Sequence, residues 1–116
     1  MTPTPPPELR EALAVREQGQ TADALRRLRD LHRRTPDDIG VLFYLGAMEV
    51  ESGNATAALP HLQAVLRAQP SQPGAMALLG DAYHVLGKNA DAVDLWRGHL
   101  QQSPDDIHAR LKLMEA

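Results

Sequence analysis

Cysteine is absent from the chain, which excludes disulfide frameworks, cysteine-based metal sites and thiol nucleophiles together. Aromatic residues amount to only 3%, with one Phe, one Trp and two Tyr. Strands draw on aromatic and β-branched side chains, whereas the abundant Ala and Leu lead the helix-propensity order, so the balance favours an all-helical chain. No basic excess exists either. The net charge is −3, and no overall positive field points to nucleic acid or an anionic membrane. Long apolar runs are missing: the longest, GVLFYLGAMEV, falls well short of the ~20 residues that a bilayer span needs, and it contains Glu49. The opening MTPTPPPELR has neither a basic region nor an apolar core, so it does not read as a secretory signal, and a soluble cytoplasmic protein is the expectation.

What is present is ordinary globular composition, 43% hydrophobic and 23% charged over 116 residues, enough for one domain with its own core. Its dominant feature is repetition. Gly19, Gly53 and Gly87 recur at 34-residue steps, and so do Ala24, Ala58, Ala92 and Pro36, Pro70, Pro104. Within the unit 39–72, Leu42, Leu45, Gly46 and Glu49 share one helical face, Gly53 and Asn54 form a stop signal, and Ala58, Leu59, Leu62, Val65 and Leu66 line a second helix. Pro60 falls in the first turns of that helix, where a missing N–H is expected to be tolerated. The unit 73–106 repeats the pattern with Met76, Leu79, Gly80, Tyr83, Ala92, Val93, Trp96 and Leu100. Gly46 and Gly80 sit mid-helix at the same phase, where each costs ~1 kcal/mol against Ala, so close approach of the two helices of a unit is expected there. The unit 5–38 is less regular, with Glu8 and Glu11 at phases that are apolar elsewhere, and its first helix is expected to be rotated. TPDD at 35–38 and SPDD at 103–106 read as helix starts with a hydroxyl cap, and the second predicts a further helix over 105–115. The proline-rich 1–7 reads as a disordered leader.

Phases 4, 7, 8, 11, 20, 24, 27 and 32 of these units resemble the tetratricopeptide repeat: Leu42, Leu45, Gly46, Glu49, Ala58, Leu62, Val65, Pro70 in one unit, and Met76, Leu79, Gly80, Tyr83, Ala92, Trp96, His99, Pro104 in the next. In the first unit Ala12, Val15, Ala24, Leu28, Leu31 and Pro36 fit. Glu49 departs from the usual aromatic and His99 from the usual Ala. The resemblance implies an all-α, right-handed solenoid of three helix pairs plus a terminal helix over 105–116 that either covers the stack or starts another unit. It also implies a concave groove lined by the first helix of each pair. The groove residues would be Leu9, Leu13 and Arg16, then Phe43, Tyr44, Ala47 and Val50, then Leu78, Asp81 and His84. Some members of the family clamp a carboxylate with cations and Asn, but those phases here hold Leu9, Leu13, Tyr44, Gly74 and Leu78. A shift of one unit gives Phe43, Ala47, Leu78, His108 and Lys112, which is no better matched.

The helix 39–51 is apolar on more than one face, and Phe43 and Val50 exceed what the repeat requires, which leads us to expect an exposed patch that receives an apolar helical or extended segment of another protein. Arg16, Asp81 and His84 would set the orientation of that segment. No catalytic arrangement is legible. Five histidines are present but none stands at i+3 or i+4 from another, and Asp81 with His84 reads as a helix-surface pair without a nucleophile. Neither a cofactor, a metal, a small-molecule substrate, a nucleic acid nor a membrane is expected as a partner. RRLRDLHRR at 26–34 reads as a solvated outer face rather than a site for an acidic partner or RNA, since no aromatics are interleaved and the overall charge is negative. Two other roles remain open on the sequence: the N-terminal adaptor of a larger enzyme, and a self-associating homo-oligomer.

Overall fold

A computed structural model describes residues 7–72 and 74–115, and among them seven helices and no strand are found. The helices are α1 (Pro7–Glu17), α2 (Thr21–Arg34), α3 (Ile39–Glu51), α4 (Ala55–Ala68), α5 (Ala75–Val85), α6 (Asn89–Gln102) and α7 (Ile107–Glu115). Each helix packs on the next along the chain, and α3 also packs on α5. The result is an all-α solenoid, 38 × 33 × 23 Å, in which α1–α2, α3–α4 and α5–α6 are successive hairpins. Of the expected leader, residues 1–6 lie outside the described residues. Pro7 is not part of a leader; it opens α1, where its missing N–H would have had no intrahelical partner.

The three hairpin turns are alike in their hydrogen bonds. Gly19, Gly53 and Gly87 have φ of +83°, +84° and +81°, a region that glycine enters without a Cβ penalty. Each glycine N–H reaches the carbonyl three residues back, and the next N–H reaches five back: Gln20 to Val15 at 3.2 Å, Asn54 to Glu49 at 2.7 Å, Lys88 to Tyr83 at 2.8 Å. These bonds satisfy the last carbonyls of each first helix.

The starts of α3 and α7 differ from expectation. Thr35 does not cap α3; its hydroxyl donates to the Leu31 carbonyl at 2.8 Å and closes α2. Asp38 and Asp106 are the caps, accepting from the backbone N–H of Val41 (3.1 Å) and Ala109 (3.2 Å). A carboxylate one residue before the helix reaches those amides, whereas the Thr35 hydroxyl, three residues before Asp38, is still held by the preceding helix. Pro60 stands where expected, as the sixth residue of α4, but that is past the first turn, so it leaves the carbonyl of the exposed Thr56 without its intrahelical donor.

Apolar burial runs continuously through the hairpins. One cluster joins Leu9, Ala12, Leu28, Leu31, Val41, Leu45 and Met48, a second joins Leu42, Val65 and Ala75, and a third joins Ala58, Leu62 and Leu79. The multi-faced apolarity of α3 follows from its position, because α2, α4 and α5 all pack on it. Within the hairpins the approach is closest at the two mid-helix glycines. A Cβ on Gly46 would lie 2.8 Å from Leu62 Cδ2, and one on Gly80 would lie 2.6 Å from Trp96 Nε1. Trp96 is 1% exposed and rigid, so it has nowhere to retreat. Gly80→Ala should therefore lower unfolding free energy in urea by roughly 1–3 kcal/mol from overpacking, despite the ~1 kcal/mol that Ala gains as a helix former. A neutral or stabilised variant would show that α5 and α6 are not in that contact.

Candidate functional site

A cleft of about 320 Å³ opens on α3, lined by Ile39, Gly40, Phe43 and Tyr44 and closed by Gln69 and Gln72 from the α4–α5 connection. Helical spacing places Ile39, Gly40, Phe43 and Tyr44 on one face of α3. The Phe43 and Tyr44 rings meet edge to face, with centroids 5.2 Å apart and planes at 88°. Both rings are half-buried. Phe43 packs on the second apolar cluster and over Gly74, where a Cβ would stand 3.5 Å from its Cζ; Tyr44 packs on the first cluster. Gly40 keeps the floor of the cleft low, since a side chain there would meet Leu9 and Asp38 at 3.3 Å. The expected open apolar patch is thus a cleft between aromatic rings and amides. The glutamines escaped the sequence reading because they lie in the connection after α4 at the end of their unit, where helical phase says nothing about side-chain direction.

The other expected groove residues are dispersed. Leu9 and Ala47 are 5% and 8% exposed and belong to the core, so a partner cannot reach them. Leu13 is half-buried against the first cluster, and Val50 and Leu78 against the third. The three polar residues expected to orient a partner are tied within the chain. Arg16 forms an ion pair with Glu51, joining α1 to α3. Asp81 accepts hydrogen bonds from Trp96 Nε1 (3.1 Å) and Lys112 Nζ (2.6 Å), joining α5 to α6 and α7. His84 does not bond Asp81; its Nδ1 is 3.1 Å from Asn89 Oδ1 and its ring leans on Trp96. Phe43 and Tyr44 are the two expected residues that line the cleft.

Two buried polar residues carry their own partners. Glu49 Oε1 lies 2.6 Å from His61 Nδ1, across α3 and α4. His99 Nε2 donates to Asp106 Oδ2 at 2.7 Å, across α6 and α7. That bond, followed by the one from the Ala109 amide, holds the Asp106 carboxyl below its ordinary pKa. Among the described residues no three His, Asp or Glu side chains converge on a possible metal position, and no helix is long and apolar enough to cross a membrane.

The model of the tetratricopeptide repeat matches residues 9–73 and again 48–107. The chain belongs to the tetratricopeptide repeat family. Among curated proteins it is 42% identical over 109 residues to the cellulose synthase 2 operon protein C of Komagataeibacter xylinus, covering 91% of this chain but 8% of that protein's length. Among solved structures it superposes on MamA from Desulfovibrio magneticus RS-1 with a TM-score of 0.86 and 22% identity, covering 92% of this chain and 60% of that one. A Thermobaculum terrenum O-GlcNAc transferase mutant gives a TM-score of 0.83 at 22% identity, covering 91% of this chain and 20% of the transferase. These structural likenesses establish the fold, an all-α helical repeat stack.

The Asp106 bond has a pH signature. A carboxylate whose pKa is lower when folded stabilises the fold above its unfolded value of about 3.9, and that contribution is lost as pH falls through the folded value. Carboxyl NMR should therefore place the Asp106 midpoint below an ordinary aspartate's, with α7 amides losing hydrogen-exchange protection in the same acid window. Asp106→Asn should flatten the stability profile there; an unchanged profile would show that the His99 bond contributes nothing in solution.

Proposed function

We propose that the chain is a non-catalytic protein-interaction scaffold whose α3 cleft receives an apolar segment, extended or helical, of another protein. The observation that carries this reading is the joining of Phe43 and Tyr44, half-buried aromatic rings, with the amides of Gln69 and Gln72 around one cleft of about 320 Å³. Aromatic rings accept an apolar anchor, and side-chain amides pair with the backbone N–H and C=O of a segment laid across them. The family fold supports the scaffold role, and the interleaved ties of Arg16 and Asp81 keep the first helices rigid behind the cleft.

A second reading, self-association, is favoured by α7. Ile107, Leu111 and Met114 are 68%, 49% and 81% exposed and fall on one helical stripe. A third, the adaptor section of a larger enzyme, draws support from the transferase, in which the matched stretch is 20% of the chain.

The test is a peptide selected from a random library against the wild-type protein. Phe43→Ser should weaken that peptide at least tenfold with helicity unchanged by circular dichroism. The Gln69→Ala/Gln72→Ala pair should weaken it by about tenfold, as two lost hydrogen bonds would. Full affinity in both variants would place the site elsewhere. Light scattering decides the rival reading: a mass above 12.7 kDa that Leu111→Glu returns to 12.7 kDa would make α7 a self-association surface.

A further inference from the structure

The side of the molecule formed by the second helices carries a site of different chemistry. Helices α2 and α4 both pack on α3 and leave between them a furrow of about 430 Å³. Its floor is Leu45 and the buried Glu49 of α3, its α4 wall is His61, and its α2 wall is Arg26, Arg29, His32 and Arg33. Arg26, Arg29 and Arg33 are one turn apart in succession, about 5 Å along the helix. Helix α2 holds five arginines against two aspartates, in a chain whose net charge is −3, so positive charge is concentrated here.

The cations are unevenly occupied. Arg26 pairs with Asp23, and Arg33 with Asp30 at 3.3 Å. Arg29 forms no ion pair among the described residues and is exposed at the furrow's edge. His32 Nδ1 is shut from solvent with no hydrogen-bond partner, and its ring meets that of His61 edge-on at 5.1 Å. A buried nitrogen without a partner, beside a free guanidinium, is an arrangement left incomplete by the chain itself.

We infer that this furrow binds an acidic protein segment, whose carboxylates pair with Arg29 and Arg33 beside the His32 and His61 rings. Guanidinium forks match carboxylates bidentately, and the apolar stems of the arginines give the segment a bed. A continuous polyphosphate chain fits less well. Glu49 lies on the floor, Asp23 and Asp30 interrupt the stripe, and no Phe, Tyr or Trp lines the furrow for base stacking. Spaced carboxylates can sit between those interruptions. The inference is independent of the α3 cleft, which lies on the first-helix side.

Fluorescence anisotropy with a labelled dodecapeptide of alternating Glu and Gly, against its Gln–Gly counterpart, tests this on the whole chain. The Glu peptide should bind at least tenfold more tightly than the Gln peptide and weaken with added salt. Arg29→Glu/Arg33→Glu should reduce its affinity at least tenfold, and Arg29→Gln, which breaks no ion pair, about threefold. Arg97→Glu/Arg110→Glu, on the exposed faces of α6 and α7, should leave it within twofold. The His32 and His61 imidazole resonances should shift on titration. Equal binding of the Gln peptide, equal loss in the Arg97/Arg110 variant, unmoved imidazoles, or tighter binding of a twelve-nucleotide RNA would each overturn the inference. So would an oligomer that Arg29→Glu/Arg33→Glu dissolves, since a second copy would then be the occupant.

Discussion

Each helix pair closes where a large side chain of the second helix lies on a residue of the first that has almost none. Leu62 seats on Gly46 and Trp96 on Gly80, at separations that no Cβ would allow. In the first pair Ala12 and Leu28 hold the same phases and are both fully buried. The glycines cost helix propensity, yet the approach they permit lets buried indole and leucine surface fill the hairpin, and each such side chain contributes roughly 1.5–3 kcal/mol on burial. The hairpin turns have only to deliver the second helix at that angle, which the left-handed glycines do. Helix α7 shows the converse. Met114 stands at the phase of Gly46 and Gly80 and is 81% exposed, so α7 presents a methionine where α3 and α5 present bare backbone and α1 an alanine. A second helix of the usual kind would meet that side chain.

Tight hairpins, stacked mainly by the second helix of one on the first helix of the next, give the molecule two unlike sides. α3 and α5 also touch directly, and the opening on the first-helix side is made where the bulky pair Phe43 and Tyr44 meets a connection. α2 and α4 instead meet through α3, and the space between them reaches down to the buried Leu45 and Glu49 of α3. Sequence decides what fills each space: aromatic rings and amides on one side, guanidinium and imidazole on the other. The two openings therefore present different chemistry on different surfaces.

The periodic features were legible because they are local. The left-handed glycines, the buried Ala24, Ala58 and Ala92, and the large residues over Gly46 and Gly80 all recur at fixed phase and need no tertiary knowledge. The groove was much less so. Its expected lining took phase as a guide to exposure, but exposure depends on which neighbours cover a residue. Leu9 and Ala47 were lost to the core in this way, and Asp81 was claimed by Trp96 and Lys112, a residue 31 positions away. The furrow was hidden for the same reason. RRLRDLHRR reads as a solvated face in isolation, and only the fold sets His61 and Glu49 beside it.

The two departures from the repeat pattern then find a common physical reason. Glu49 replaces an aromatic and His99 replaces an alanine, and both are buried, at 2% and 5% exposure. A buried carboxylate or imidazole is costly when unpaired, by several kcal/mol, and breaking such a pair commonly costs more than replacing both members with apolar side chains. Each here has acquired a partner on the next helix: His61 for Glu49, within the second hairpin, and Asp106 for His99, between the third hairpin and α7. A packing contact that any apolar residue could supply has become one that accepts a single orientation. At α7, which lacks the glycine seat, the directional bonds of His99 and Lys112 do the fixing that close apolar approach does elsewhere. Position is held there by hydrogen bonds beside the small buried Ala109, and the apolar stripe of Ile107, Leu111 and Met114 faces outward.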